Sequence, residues 1–251
     1  MGIGDELMAA GEARLRHEAT LLPVVIVDRH GRPRWSEVWE NNPYILRYRP
    51  PGAHNTLVNG GGVRPYIVGK GVTKWFWKKY KPIPAEFFFT KAELAFAEPY
   101  RGSIMIEPSV KAVGHDNKAW LTDRWNYLAH AIAIDMKQRI VQCVPSGHAT
   151  LPNTETVLTP TFRLAAAVQS VCAAYIGTEG GLHHAAAANK TPAVILWAEF
   201  IDPSITGYTT MINLRHAHKV CGYRVRCSGC RKSMEAITVS EVVSALKRIL
   251  K

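Results

Sequence analysis

The chain has 251 residues, enough for one large domain or two small ones. Its residues are 47% apolar and 20% charged, which is typical of globular proteins and excludes a disordered chain. No apolar run approaches the roughly 18 residues of a membrane span, and the N-terminal MGIGDELMAAGE does not resemble a signal peptide. We therefore expect a cytoplasmic protein without a transmembrane segment. The net charge of +11 favours an anionic partner, such as nucleic acid, a phosphorylated lipid or polysaccharide, or a membrane surface.

The first residues predict a tight turn that leads into a helix. Glycines at positions 2 and 4 precede Asp5, and the helix should run to about residue 17. A strand should follow at residues 22–27. This order is that of a Rossmann-type unit without its first strand. Asp is a common N-cap residue, so capping this helix is one role that Asp5 could have.

Residues 28–60 are rich in Arg, Pro, Asn and Gly and predict loops, with one short strand at 44–48. Residues 64–81 combine lysines with aromatic residues and contain no acid. Such a stretch can hold phosphates while bases or sugars stack on the rings, and the candidates for an acceptor surface are Lys74, Trp75, Trp77 and Lys78. A solvated helix with one aromatic face in the core is the other interpretation.

A second domain is predicted from residue 101, giving domains at 1–100 and 101–251. It opens with a strand at 103–107, and a helix after Asn117-Lys118 should run to about residue 137. A strand at 139–144 follows, then a turn into a helix within 159–168. A final helix at 240–250 has apolar spacing suited to packing on a domain.

The most informative stretch is residues 171–200, which predict a strand, a Gly-rich turn, a helix and a second buried strand. The turn spans residues 177–181, the helix 182–189 and the second strand 191–197. Gly180 and Gly181 let a ligand approach the backbone closely, and the helix N-terminus attracts anions. A diphosphate is the usual ligand of such a unit. Glu179 could hold a ribose or sugar hydroxyl, and two polar rings, His183 and His184, follow in the first helical turn.

This stretch resembles the donor-binding turn of glycosyltransferase family 9, the heptosyltransferase-like enzymes. The match is carried by Gly177, Glu179, Gly180, Gly181 and His184. Further similarity covers residues 2–11, 103–125 and 161–250. The resemblance implies an α/β protein of GT-B type, with two Rossmann-like domains facing across a cleft. Its N-terminal domain is smaller than usual.

The resemblance also implies a mechanism. Asp5 would be the catalytic base that deprotonates the acceptor hydroxyl. Lys118 would reach the donor phosphates, together with Gly180, Gly181 and His184 at the helix N-terminus. No metal or other cofactor would be needed for catalysis. The family's acid is usually Asp where this chain has Glu179, and the Glu that commonly holds the ribose is missing after the turn at 145–148, which leaves the nucleotide open.

Three of the five cysteines form the pattern Cys221-x5-Cys227-x2-Cys230, with His216 and His218 just upstream. Three thiolates and one imidazole would give a tetrahedral structural zinc site. Free thiols in a basic loop are the alternative.

The sequence therefore predicts a glycosyltransferase that moves a heptose or related hexose from a nucleoside-diphosphate sugar to an anionic acceptor. Lipopolysaccharide core is the acceptor that the resemblance implies, with possible peripheral membrane contact. A nucleic-acid-binding protein, or a transferase that glycosylates modified DNA bases, is the main alternative. A sugar-nucleotide epimerase, for which the His183-His184 pair could serve, is a further one.

Overall fold

A computed structural model describes residues 2–60, 64–110 and 116–251. The protein is an α/β structure whose two larger sheets are entirely parallel. The strands are β1 Val24–Val27, β2 Ile45–Leu46, β3 Asn55–Val58, β4 Ile67–Lys70, β5 Trp75–Trp77, β6 Ile104–Glu107, β7 Ile140–Val144, β8 Glu155–Leu158, β9 Ala174–Thr178, β10 Ala193–Trp197 and β11 Ile212–Arg215. The α-helices are α1 Ile3–Thr20, α2 Lys91–Ala97, α3 Thr122–His130, α4 Phe162–Val171, α5 Gly181–Asn189, α6 Pro203–Thr206, α7 Ser228–Ala236 and α8 Val239–Ile249.

The larger sheet has six strands in the order β11-β10-β9-β6-β7-β8. The chain lays down β6, β7 and β8 toward one edge, returns to the middle, and continues with β9, β10 and β11 toward the other edge. This is the doubly wound Rossmann arrangement, in which ligands bind at the carboxyl ends of the two central strands. Those strands are β6 and β9, and Glu107 pairs with Gly177 at their ends. The predicted donor turn follows β9 directly.

The smaller sheet has three strands in the order β2-β1-β3, and helix α1 packs against it. Strand β1 is completely buried because all four of its residues are branched and apolar. The described chain enters this sheet through α1. Helix α1 also packs on α5, which belongs to the predicted C-terminal domain, so the two predicted domains are in contact at these helices.

The division at residue 100 remains a prediction, although the sheets themselves separate there. Strands β1 to β5 precede that residue and β6 to β11 follow it. Strands β4 and β5, however, attach to the C-terminal part of the chain. The Trp75 N–H donates to the Gly222 carbonyl (2.9 Å), and the Arg224 N–H donates to the Thr73 carbonyl (2.8 Å).

Several sequence predictions were wrong in detail. Residues 64–81 form the β4–β5 hairpin and not a helix, because Gly69 and Gly71 disfavour helix while the rings cover neighbouring structure. Strand β3 lies in a segment predicted as loops. Strand β9 continues to Thr178, so the donor turn begins only at Glu179. Helix α3 ends at His130 and gives way to a π-helical turn at Ala131–Asp135. Within the described residues, no helix combines the length and apolar character that a bilayer crossing requires.

Candidate functional site

Asp5 lies in the first turn of α1 and is 8% exposed. The N-cap is Gly2, three residues earlier, and the Asp5 carboxylate accepts a hydrogen bond from its N–H (3.2 Å). Asp5 is thus not itself the N-cap, although it supports the cap from the third helical position.

Two side chains from the segment just before β4 hold the Asp5 carboxylate. The Tyr66 hydroxyl donates to Oδ1 (2.5 Å), and the Arg64 guanidinium pairs with Oδ2 (2.9 Å). Burial and the Asp5 carboxylate raise the pKa of Tyr66 well above its usual range, so its hydroxyl keeps its proton and remains a donor. The carboxylate is therefore fixed in orientation. Asp5, Arg64 and Tyr66 line a shallow pocket that is open to solvent.

Helix α5 brings the predicted donor residues to the same place. A Cβ atom on Gly4 would lie only 2.6 Å from Cδ2 of His184. Only glycine at position 4 lets the first turn of α1 come this close to the first turn of α5. The structure thus places Asp5 and the Gly180-Gly181 turn next to one another, although 175 residues separate positions 5 and 180.

His184 is buried, and its Nδ1 lies 2.9 Å from the Tyr208 hydroxyl. Burial lowers the pKa of His184 to about 4, and the charges of Glu179 and Asp5 only partly offset this. The ring is therefore neutral at physiological pH. A neutral ring can donate one hydrogen bond and accept another but does not supply a positive charge.

His183 is also buried, and neither ring nitrogen has a hydrogen-bond partner in the described part of the chain. The ring packs edge-on against Trp197 and Tyr208. Burial lowers the pKa of His183 well below its usual range. Ligand atoms of His183, His184 and Glu179 all lie within 4.8 Å of one another, so the three residues could also meet around one ion.

Lys118 lies beside the turn that was predicted to bind the donor, and its ammonium group pairs with the Glu179 carboxylate. The ammonium group also lies 4.8 Å from the ring centre of Phe200. Lys118, Glu179 and Phe200 line a second small cavity that is partly open to solvent, together with the carboxyl end of β10. Lys118 and Glu179 are mostly buried, so the cavity carries one charge of each sign at its wall.

Glu107 was not singled out from the sequence, although it ends strand β6 at the centre of the larger sheet. Its carboxylate accepts a hydrogen bond from the Ser109 N–H (2.7 Å), yet burial raises the pKa of Glu107 to about 7. Tyr66 and Arg64, which grip Asp5, and Tyr208, which contacts His184, were also missed as site residues. Hydrophobic pattern does not reveal such contacts because they join distant parts of the chain.

The predicted acceptor residues lie on the β4–β5 hairpin but do not all face solvent. The Trp77 indole N–H donates to the Phe200 carbonyl (3.0 Å), and Trp75 packs beside Trp77. Lys74 lies over Phe76 and Tyr223, and Phe76 is half exposed. The role of Lys74, Trp75, Trp77 and Lys78 in acceptor binding stays a prediction. Arg163 forms an ion pair with Glu93 (2.7 Å), in keeping with a structural role.

The thiols of Cys221, Cys227 and Cys230 come together, with all three sulfur atoms within 4.8 Å of one another. Neither predicted histidine ligand belongs to this group. His216 Nε2 instead lies 2.7 Å from a Glu241 carboxylate oxygen, and His218 is exposed.

Comparison with known proteins gives structural matches only. No model of a known protein family and no curated protein sequence matches the chain. A glycosyltransferase family 9 protein from Veillonella parvula superposes with a TM-score of 0.66 at 12% identity, covering 100% of this chain and 95% of that one. The iron-containing dodecameric glycosyltransferase TibC from enterotoxigenic E. coli gives a TM-score of 0.63 at 12% identity, covering 99% and 73%.

A third match is the E. coli ADP-heptose lipopolysaccharide heptosyltransferase II, with a TM-score of 0.51 at 18% identity over 66% of this chain. The chain spans only about half of that enzyme, 53% of its length. At these identities the matches establish architecture, so the predicted GT-B-like fold is confirmed. The chain has the fold of glycosyltransferase family 9.

Proposed function

We propose that the protein is a glycosyltransferase that moves a sugar from a nucleoside-diphosphate sugar to a hydroxyl group of an anionic acceptor. One observation carries this proposal: the first turn of α1, which carries the buried Asp5 carboxylate, packs against the glycine turn and the first turn of α5, which have the form of a diphosphate site. A direct displacement at the anomeric carbon requires a base and a donor site near one another.

In this mechanism Asp5 accepts the proton of the acceptor hydroxyl as that oxygen attacks the anomeric carbon. Tyr66 and Arg64 hold the carboxylate in one orientation, which reduces the entropy lost on reaching the transition state. The sugar carbon inverts because attack and departure occur on opposite faces. The pocket lined by Asp5 and Tyr66 is our candidate for the acceptor side.

The leaving diphosphate is stabilised by the N-terminus of α5 and by Lys118. The ammonium group of Lys118 pairs with Glu179. A diphosphate would compete for that ammonium group, and the Glu179 carboxylate could then accept a hydrogen bond from a ribose or sugar hydroxyl. His184, neutral and hydrogen-bonded to Tyr208, supplies a further polar contact without adding charge.

For the sugar and the acceptor we name candidate chemical classes. The E. coli match is named for ADP-heptose and lipopolysaccharide, so a heptose or related hexose and a lipopolysaccharide core are our first candidates. The net charge of +11 and the basic hairpin favour an acceptor with negative charges and allow peripheral contact with an anionic membrane. Glycosylation of modified DNA bases is the second candidate, favoured by the half-exposed Phe76 ring with Lys74 across it.

A thermal-shift screen with ADP-, GDP-, UDP- and CMP-sugars tests the donor site. A ligand that binds only the folded protein at 100 times its Kd adds about 2.7 kcal/mol to the free energy of unfolding, so one nucleotide class should raise the Tm clearly. Lys118→Met should weaken that shift, whereas Lys247→Met, a change at an exposed lysine of α8, should leave it intact. If no nucleotide or nucleotide sugar moves the Tm at millimolar concentration, the proposed donor site is wrong.

A further inference from the structure

A carboxylate that the sequence pattern did not suggest lies next to the cysteine cluster. Cys221 and Cys230 are buried with their sulfur atoms 3.3 Å apart, and Cys227 lies beside them at the start of α7. These three thiols lie close enough to provide three of the four ligands of a tetrahedral metal site. The other two cysteines of the chain lie elsewhere.

Our candidate for the fourth ligand is the Glu199 carboxylate, which lies beside the cysteine turn, although it is not among the groups within 4.8 Å of all three sulfur atoms. Glu199 is 7% exposed, and its Oε2 atom has no hydrogen-bond partner within the described residues. A buried carboxylate oxygen without a partner is costly unless something compensates it. The same oxygen lies against Gly229, between Cys227 and Cys230, where an added Cβ would lie 2.1 Å from it. Glycine at position 229 is therefore needed for the carboxylate to enter the cysteine turn.

Main-chain hydrogen bonds connect Glu199 with the cysteines independently of its side chain. The Cys221 N–H donates to the Glu199 carbonyl (2.8 Å). The Glu199 N–H donates to the Ser233 hydroxyl (3.2 Å), and this hydroxyl donates to the Cys230 carbonyl (3.0 Å). Both sides of the cysteine cluster are thus bound to the backbone of Glu199, whose carboxylate lies against Gly229 between Cys227 and Cys230. A small movement of this side chain would let it join the three thiols around one ion.

We propose that Cys221, Cys227, Cys230 and Glu199 bind one transition metal ion with tetrahedral geometry. Three thiolates and one carboxylate give a donor set that suits zinc or ferrous iron and disfavours magnesium or calcium. Binding releases the thiol protons and replaces the missing partner of Glu199. All four positions are taken by protein, so the site is structural and offers no open position to a substrate.

The surroundings of the site indicate which parts of the chain a bound metal ion would hold together. Asn117 donates to the carbonyls of Tyr223 and Val225 (both 2.8 Å) and accepts from the Cys227 N–H (2.9 Å). Asn117 directly precedes Lys118, and the same cysteine loop forms the main-chain bonds to the β4–β5 hairpin. A metal at the cysteines would therefore fasten together the hairpin, the loop and the segment that carries Lys118.

The test is the metal content of the full-length, reduced protein purified from cells grown with added zinc and iron. We expect about one metal ion per chain in the wild type, and elemental analysis distinguishes zinc from iron. Cys172→Ser, which alters a buried cysteine outside the cluster, should retain the metal, whereas Cys230→Ser should lose it. Metal removal by a chelator should lower the Tm.

Glu199→Gln tests the fourth ligand separately, because the amide keeps the volume of the side chain but is a much weaker ligand. We expect its metal to be lost to a chelator at a concentration on the order of tenfold lower than for the wild type. Refilling the metal-free proteins with cobalt should give intense visible bands of tetrahedral cobalt in the wild type and altered bands in Glu199→Gln.

Two results would overturn the proposal. Reduced wild-type protein that contains no metal and takes up none would contradict the metal site. So would protein purified without reductant in which a Cys221–Cys230 disulfide takes the place of the metal. Unchanged chelator competition and cobalt spectra in Glu199→Gln would remove Glu199 from the ligand set. If Cys230→Ser does not fold, Cys227→Ser at the less buried position provides the same comparison.

Discussion

At the scale of single residues, the site is defined by buried polar groups whose partners come from distant parts of the chain. Asp5 shows this most clearly. Its sequence context fits both a cap and a base, and the structure gives it the third helical position with Tyr66 and Arg64 around the carboxylate. A residue that only capped a helix would not need a buried tyrosine and a partly buried arginine as partners.

His184 provides a prediction about pH. Its pKa is about 4 in the folded protein against 6.5 for an ordinary histidine, so the unfolded chain binds the extra proton first. Its contribution to the free energy of unfolding is therefore complete above pH 6.5 and falls as the pH drops toward 4, by roughly 3 kcal/mol at most. His184→Gln, which can keep a hydrogen bond to Tyr208, should reduce this loss.

The measurement is urea unfolding of the wild type and His184→Gln between pH 7.5 and about 4.5. The two stability profiles should converge as the pH falls. Only the wild type has an imidazole at position 184, and the unfolded chain protonates that ring more readily than the folded protein does. Glu107, whose pKa is raised, changes stability in the opposite sense and acts equally in the two proteins. The His183 ring also lowers stability in acid, and since the charge of His184 helps to lower the pKa of His183, this loss should be smaller in His184→Gln. Parallel profiles would show that His184 does not titrate as described.

At the scale of elements, the contact between α1 and α5 joins the two parts of the site, and Gly4 makes that contact possible. Gly4→Ala would place a methyl group 2.6 Å from the His184 ring, so α1 or the ring must move. We expect a loss of about 1–3 kcal/mol in the free energy of unfolding, typical of overpacking, and weaker donor binding.

Gly52→Ala is the matched control, since an added Cβ there has no neighbour within 4 Å. Both variants are compared by urea unfolding and by the donor-induced Tm shift. If Gly4→Ala matches Gly52→Ala in both, the close approach of α1 and α5 is not needed for the site.

The elements that the sequence predicted well are those with a strong pattern of their own. Strands β1, β6, β7 and β10 are buried apolar runs, and α5 and α8 have clear starts and ends, so local physics decides them. The short strands β3 and β8 each bury a single residue, Leu57 and Val157, and leave no periodic signal. Helix α2 was missed despite its Thr90–Glu93 capping box, a signal that was available.

The site residues also divide into those that a local sequence pattern could predict and those that it could not. The glycine turn and Lys118 could be predicted because one short segment holds each of them. The Tyr66 and Arg64 contacts with Asp5 depend on where the β4–β5 hairpin docks, as does the position of Glu199 beside the cysteines. Tertiary packing sets those contacts, and no window of sequence contains both partners.

At the scale of the whole molecule, the account says that a base from the N-terminal part acts on a donor held by the C-terminal part. The six-stranded doubly wound sheet places the donor turn at its central strand ends, and α1 brings Asp5 to that point. In this proposal the net charge of +11 would attract an anionic acceptor. These roles separate in an experiment because donor binding and proton transfer use different residues.

Asp5→Asn tests this division most directly. The amide still fills the site and can accept from Tyr66, but it cannot take a proton and it leaves Arg64 without its ion pair. We expect some loss of stability, about 1–3 kcal/mol, for the unpaired buried cation. Glu241→Gln is the control for helix capping, because Glu241 holds the same third position in the capping box of α8.

The decisive measurement is sugar transfer together with donor Kd for wild type, Asp5→Asn and Glu241→Gln at a temperature where all three are folded. The account predicts that Asp5→Asn loses on the order of 10²–10⁴-fold in transfer while its donor Kd stays near that of the wild type, and that Glu241→Gln changes neither. Near-normal transfer by folded Asp5→Asn would contradict the central claim, because the base would then have to be another residue.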